Sequence, residues 1–170
     1  MIAEKLFDEE TIQARVRDLG ALIARDYAGK LPMIVGIMNA SAVFVADLTR
    51  AIDIPCEFDF IALTRYNDAE GIRFEKDTSA SVEGRHVLLV EDTIDTGLTL
   101  QYVVKALRAR APASLEVCTL LDRPHRRLAG IDVKYRGFEI PDVYVVGYGL
   151  DYNGRYRELP ALYVHGSWPQ

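Results

Sequence analysis

The sequence predicts an α/β fold, a mostly parallel sheet flanked by helices. Three observations predict it. Met33–Ile37, Val87–Val90 and Leu115–Leu121 are short apolar runs, the pattern of strands buried on both faces. The first two lead into helical spacing: a helix from about Ala42 to Ala51, and Leu100, Val103, Val104 and Leu107 at i, i+3, i+4 and i+7. From Ile131 onward the pattern changes to short strand-like segments broken by Pro141, Gly147 and Gly149. That last third predicts a small β-rich cap, or hood, added to the parallel sheet.

Each element follows from local pattern. Asp8 reads as an N-cap, and Ile12, Val16, Leu19 and Ile23 form an apolar stripe behind it. They predict an amphipathic helix over residues 9–27 that ends near Gly29. Ser41 is the expected N-cap of the second helix. Cys56–Leu63 alternates well enough to be a strand. Beyond Thr64-Arg65-Tyr66 lies a polar stretch of about fifteen residues, in which Ile72 and Phe74 are expected to pair as a weak hairpin. Such a stretch is either a lid over a site or a plain surface loop. Short strands are expected at Ile131–Tyr135, Tyr144–Gly147 and Ala161–Val164. Residues 138–142 and 147–152 read as turns, and the crossovers should be right-handed.

Composition narrows the classes. A chain of 170 residues can bury one full core, so a single domain over 1–170 is expected. Its hydrophobic content of 49% and charged content of 26% are those of an ordinary soluble globular protein. A net charge of −5 argues against a broad nucleic-acid surface. It still permits a phosphorylated ligand, because a helix terminus or a metal supplies a local positive field. Cys56 and Cys118 lie in separate apolar segments and read as small buried hydrophobes of a reducing cytosol. The opening MIAEKLFDEE lacks a signal-peptide pattern, and no segment approaches the ~20 apolar residues of a membrane helix. The expectation is a cytoplasmic protein without a membrane partner.

The chemistry concentrates in His86–Thr99, HVLLVEDTIDTGLT. A buried strand is expected to end at Glu91 and Asp92. Asp95-Thr96-Gly97 then opens a helix. In an open α/β sheet, ligands bind at this kind of strand-to-helix junction. A helix amino terminus attracts phosphate through its unpaired N–H groups and the peptide dipole. Gly97 lets the backbone come close to a ligand, and Thr96 and Thr99 add hydroxyl donors. Glu91, Asp92 and Asp95 would repel that same phosphate. A ligand with a phosphate at one end and hydroxyls or a metal at the other reconciles the two. A ribose 5-phosphate fits: its phosphate sits on Asp95–Thr99, and Glu91 and Asp92 take ribose hydroxyls or a divalent cation.

Four apolar residues followed by Glu-Asp-x-x-Asp-Thr-Gly-x-Thr resemble the 5-phosphoribosyl-1-pyrophosphate signature of the type I phosphoribosyltransferases. Further segments resemble the hypoxanthine-guanine branch of that superfamily. They are Leu120–Arg123, Gly137–Asp142, Val145–Tyr152 and Arg157. The resemblance covers about Ile34 to Val164. It implies a phosphoribosyl site at Glu91, Asp92, Thr93, Asp95, Thr96, Gly97 and Thr99, with Asp95 as the general base or acid at purine N7. It implies a purine site in which Arg123 donates to the 6-oxo group, Tyr144 stacks on the base and Val145 offers its backbone, with Asp151 nearby. Glu91, Asp92 and Asp151 would hold Mg²⁺ as cofactor, and Arg157 would reach the pyrophosphate. Arg65 and Tyr66 would belong to a lid. The implied substrates are phosphoribosyl pyrophosphate and hypoxanthine or guanine, a related transferase preferring xanthine being the enzymatic alternative, and the implied assembly is a homodimer or homotetramer. One departure stands out. The family carries Lys-Gly or Arg-Gly in its first loop, where backbone amides hold pyrophosphate, and this chain has Asn39-Ala40. The rival reading is a regulator that senses the same sugar, but no added DNA-binding domain or basic face is visible in the sequence.

Overall fold

The computed structural model describes residues 1–65 and 71–166. The described elements are β1 (Ile2–Phe7), α1 (Glu9–Asp26), β2 (Met33–Ile37), α2 (Ala42–Ala51), β3 (Glu57–Arg65), β4 (Ile72–Lys76), β5 (His86–Ile94), α3 (Leu98–Arg108), β6 (Ser114–Asp122), β7 (Tyr135–Glu139), β8 (Val145–Val146) and β9 (Leu162–His165). A 3₁₀ turn, Pro124–Arg126, follows β6. Six strands form one sheet in the order β4-β3-β2-β5-β6-β7. All neighbouring pairs are parallel except β3 with β4. A separate antiparallel sheet, β1-β9-β8, forms the hood.

The core explains why the central runs read as unbroken apolar sequence. Successive side chains on a strand point to opposite faces. Leu88 and Val90 of β5 pack with Ile34, Phe44 and Leu48 on the side of α1 and α2. Val87 and Leu89 pack with Val35, Val103 and Leu107 on the side of α3. Both faces are covered, so neither set of alternate positions can be polar. In α1, Asp8 accepts from the Thr11 N–H at 2.8 Å, and Ile12, Val16, Leu19 and Ile23 are buried against the sheet. The capped amphipathic helix is as expected.

Several local readings need correction. Ser41 does not cap α2 with its side chain. Its backbone is already helical, and its buried hydroxyl donates to the Ile37 carbonyl at 2.6 Å, which ties the helix to the end of β2. Ile131–Tyr135 is not a strand. Ile131 and Val133 pack as irregular chain over the α3 side of the core, and β7 begins at Tyr135, opposite Cys118. Phe138 and Glu139 therefore belong to β7 and not to a turn. Ile72 and Phe74 do form a strand, but its partner is β3, with Leu63 opposite Phe74. β1 was absent from the sequence reading because its residues are mostly exposed and show no period. Its reason for being a strand is β9, at the far end of the described chain, with Ile2 opposite His165 and Phe7 opposite Leu162.

Asp59 on β3 anchors the far end of the segment that follows β4. It accepts from the Ser79 N–H at 2.5 Å, the Lys76 ammonium at 2.9 Å and the Phe60 N–H at 2.7 Å. Burial alone would push this carboxyl up, but these donors outweigh it and hold the pKa down to about 2. A depressed folded-state pKa adds stability above the ordinary carboxylate range, and that stability is lost as pH falls through the folded value. Asp59→Asn should therefore destabilise by about 1–2 kcal/mol at pH 7, with the difference vanishing near pH 2. Urea denaturation across that pH range checks it.

Candidate active site

β5 carries its acids further than the sequence implied. The strand does not stop at Glu91. It continues through Asp92 and Thr93 to Ile94, because β6 pairs with it as far as Asp122. Glu91 and Asp92 are thus half-buried strand residues. Burial pushes both carboxyls up, and the charge of Asp92 pushes Glu91 further. Two adjacent acids held in this way form a site that favours a cation.

The loop after β5 forms a cleft of about 340 Å³. Glu91, Thr93, Asp95, Thr96, Gly97 and Thr99 line it together with Ile94 and Leu100. Gly97 occupies the N-cap position of α3 with φ of +78°, a conformation that disfavours a side chain. A Cβ there would also press on Arg127 and Ile131 at 3.0 Å. Gly97 has no side chain with which to accept from the first-turn amides, and the Thr96 hydroxyl accepts from the Leu98 N–H at 3.4 Å. The Thr96 carbonyl accepts from the Leu128 and Ala129 amides, which fixes the loop against the segment after β6.

A second cleft, of about 170 Å³, adjoins it. Ala40, Asp92, Thr93, Arg123, Tyr144, Val145, Leu150 and Asp151 line it. Residues 111 positions apart in the chain meet here at Ala40 and Asp151. Arg123 is only 6% exposed, and it donates to the Val143 carbonyl. The Tyr144 hydroxyl donates to the Asp151 carbonyl at 2.9 Å. Gly149, with φ of +96°, packs its Cα on the Ala40 carbonyl where no Cβ would fit, and this brings the hood onto the first loop. Arg157 reaches the Gly149 carbonyl at 2.7 Å and the Asp151 carboxylate at 2.8 Å.

Known proteins share this arrangement. The family model of the phosphoribosyl transferase domain matches residues 3–153. A hypoxanthine-guanine phosphoribosyltransferase from Bacillus subtilis is 42% identical over 167 residues, covering 96% of this chain and 93% of the relative. One from Staphylococcus aureus (strain Mu50 / ATCC 700699) is 44% identical over 165 residues, covering 95% of this chain and 92% of the relative. A crystal structure of the Bacillus anthracis hypoxanthine-guanine phosphoribosyltransferase with HEPES in its active site superimposes with a TM-score of 0.94. It is 36% identical and covers 97% of this chain and 99% of that one. This chain belongs to the hypoxanthine-guanine phosphoribosyltransferase family.

Most of the residues that the family resemblance singled out therefore converge on the two clefts. Asn39 does not line either of them. It is exposed, and the peptide bond before it, Met38–Asn39, is cis. Arg157 also lies off the lining and is held against Asp151. Tyr66 lies outside the described residues, as does the side chain of Arg65.

Sequence reasoning missed the arginines that follow Arg123. Arg126 holds the Asp95 carboxylate with Nε at 2.6 Å and Asp142 with Nη1 at 3.0 Å. Arg127 pairs with Asp122, which is fully buried and also meets Arg136 Nε at 2.6 Å. The only signal was three cations within Arg123-Pro124-His125-Arg126-Arg127, beside a strand ending in Asp122.

The family is generally Mg²⁺-dependent, and the residues fit that ion. Among the described residues no three His, Cys, Asp or Glu side chains gather into a cage. Mg²⁺ does not need one, since it commonly takes one or two carboxylates and completes its shell with water and substrate phosphate. The crowded Glu91–Asp92 pair supplies hard oxygen donors whose repulsion a cation relieves.

The Asp122 pairing generates a test. Removing Arg127 leaves the fully buried Asp122 only Arg136, itself 44% exposed, so its charge is under-compensated. Arg127→Ala should cost about 3 kcal/mol of stability, read by chemical denaturation. Arg126→Ala, which strips a partly exposed partner from half-exposed Asp142, should cost under about 1 kcal/mol in the same measurement.

Proposed function

We propose that the two clefts carry out the reaction of this family on this chain: Mg²⁺-dependent transfer of a 5-phosphoribosyl group from 5-phosphoribosyl-1-pyrophosphate to N9 of hypoxanthine or guanine, with release of pyrophosphate. The observation that carries this reading is that Thr93 lines both clefts, with Glu91 facing the one at the glycine-opened helix terminus and Asp92 the one lined by Arg123 and Tyr144. The sugar phosphate sits on the amides and hydroxyls of Asp95–Thr99. Glu91 and Asp92 accept from the ribose hydroxyls or hold the ion's water shell. The base enters the second cleft, against the Tyr144 ring and the Val145 backbone. Arg123 donates to the 6-oxo oxygen. Adenine presents a donor at that position, so the same cation rejects it.

Bound Mg²⁺ supplies charge neutralisation on the leaving diphosphate. Arg157 adds charge-assisted hydrogen bonds to its oxygens. Asn39 and Ala40 contribute backbone only, since neither carries a positive side chain. Asp95 holds or removes the proton at purine N7 while the new bond forms at N9. Its hold on Arg126 fixes the carboxylate's direction. The sugar develops oxocarbenium character as the diphosphate leaves, so water has to be excluded from it. Asp151 orients from the opposite wall and completes the ion's surroundings. A cytoplasmic homodimer or homotetramer is part of the same reading, and sedimentation at micromolar protein tests the assembly.

Nucleotide formation should be seen with hypoxanthine or guanine and the activated sugar, should vanish in excess chelator and return with Mg²⁺, and should be absent with adenine. Turnover on none of the 6-oxopurines would refute the assignment, and xanthine in the same assay ranks the third base. Asp95→Asn should lower kcat by about 10²–10⁴-fold while largely keeping affinity for the sugar phosphate.

A further inference from the structure

We propose that His165, outside both clefts, is a positioning residue for the purine-stacking tyrosine, acting through Tyr152. The proposal rests on the reading that Tyr144 covers the base. His165 closes β9 and is 2% exposed. Its imidazole stacks on the Tyr152 ring with centroids 4.2 Å apart and planes at 22°. Tyr152 meets Tyr144 edge to face at 5.8 Å and 90°. His165 also meets Tyr144 directly, at 6.2 Å and 68°, and its backbone N–H donates to the Tyr144 carbonyl at 2.7 Å. The imidazole thus backs the ring that faces the base cleft, both through another ring and through the chain. Edge-to-face and stacked contacts constrain ring orientation as well as position.

The chemistry of the imidazole makes this support sensitive to pH. The Met1 ammonium lies 2.9 Å from Nε2, so Nε2 accepts and the neutral ring carries its proton on Nδ1. Nδ1 is buried and has no hydrogen-bond partner among the described residues. The groups facing the ring are the Met1 ammonium from β1, Tyr144 before β8, and Tyr152 and Tyr156 from the hood loop. Arg155 lines the same cavity, and among the described residues none of its lining is acidic. Protonating Nε2 would remove the acceptor and bring two cations together. Burial, and then the Met1 charge, hold the imidazole below its ordinary range. The ring is neutral and well seated at pH 7 and above, and the seat fails as pH falls below the ordinary imidazole range.

The test measures kcat and both KM values for wild type, His165→Ala and His165→Phe between pH 5.5 and 8. At pH 7.5, His165→Ala should raise KM for the purine base about three- to tenfold, leaving kcat and KM for the sugar donor within about twofold. His165→Phe keeps a flat ring without a titrating nitrogen. It should restore the purine KM and lack the extra rise in purine KM that wild type shows at the acid end. An unchanged purine KM in His165→Ala overturns the proposal, as does an equal loss in kcat and both KM values in His165→Ala and His165→Phe alike. So does an acid-end rise that persists in His165→Phe. A wild-type protein that turns over no 6-oxopurine sinks the earlier reading and this one with it, whereas an active wild type with an indifferent His165→Ala sinks this one alone.

Discussion

Glu91 and Asp92 follow four fully buried residues of β5, and the strand cannot bend away before Ile94 because β6 pairs with it that far. Two carboxylates are therefore carried, half-buried and side by side, to the carboxyl edge of the central sheet. Lost solvation raises both pKa values, and the Asp92 charge raises that of Glu91 further. Stability would favour apolar residues there. The arrangement makes sense as a standing demand for hydroxyl donors and a cation, met when the substrate arrives. The rest of the site is placed around that edge: the glycine-opened start of α3 to one side, the first loop and the hood to the other.

A mesh of arginines and carboxylates holds the loops that flank this edge. Asp122, fully buried at the end of β6, is compensated by Arg127 and Arg136. That pairing fixes the turn from which Arg123 enters the base cleft and Arg126 grips Asp95. Partners on different elements make the mesh cooperative: Arg126 joins the β5–α3 loop to Asp142 before β8. Such networks specify one arrangement more than they add net stability. In the proposed reaction Asp95 benefits from that uniqueness, because a small misplacement is costly in rate.

The hood completes the base cleft from behind. Its strands come from the two ends of the described chain, and it is seated on the first loop by Gly149 against Ala40. Aromatic rings dominate its interior. Tyr144, Tyr152, Tyr156 and His165 pack through one another, so the wall of the cleft is only as rigid as this cluster. On one side the cluster borders Arg155 and the Met1 ammonium, and on the other Tyr144 lines the second cleft.

Residue pattern alone predicts the parallel sheet, the three helices and the glycine-opened junction between β5 and α3. These depend on local period, caps and a glycine, and each can be read within a window of a dozen residues. The residues of the second cleft were reached only through resemblance, since Arg123, Tyr144 and Asp151 show no local sign of a common purpose. Tertiary structure alone decided the partner of β1, the register that begins β7 at Tyr135 and not at Ile131, the turn of Ser41 toward Ile37, and the grip of Arg126 on Asp95. The reason is physical: period and propensity are properties of neighbours along the chain, while strand pairing and ion pairing join residues whose approach depends on the whole packed core.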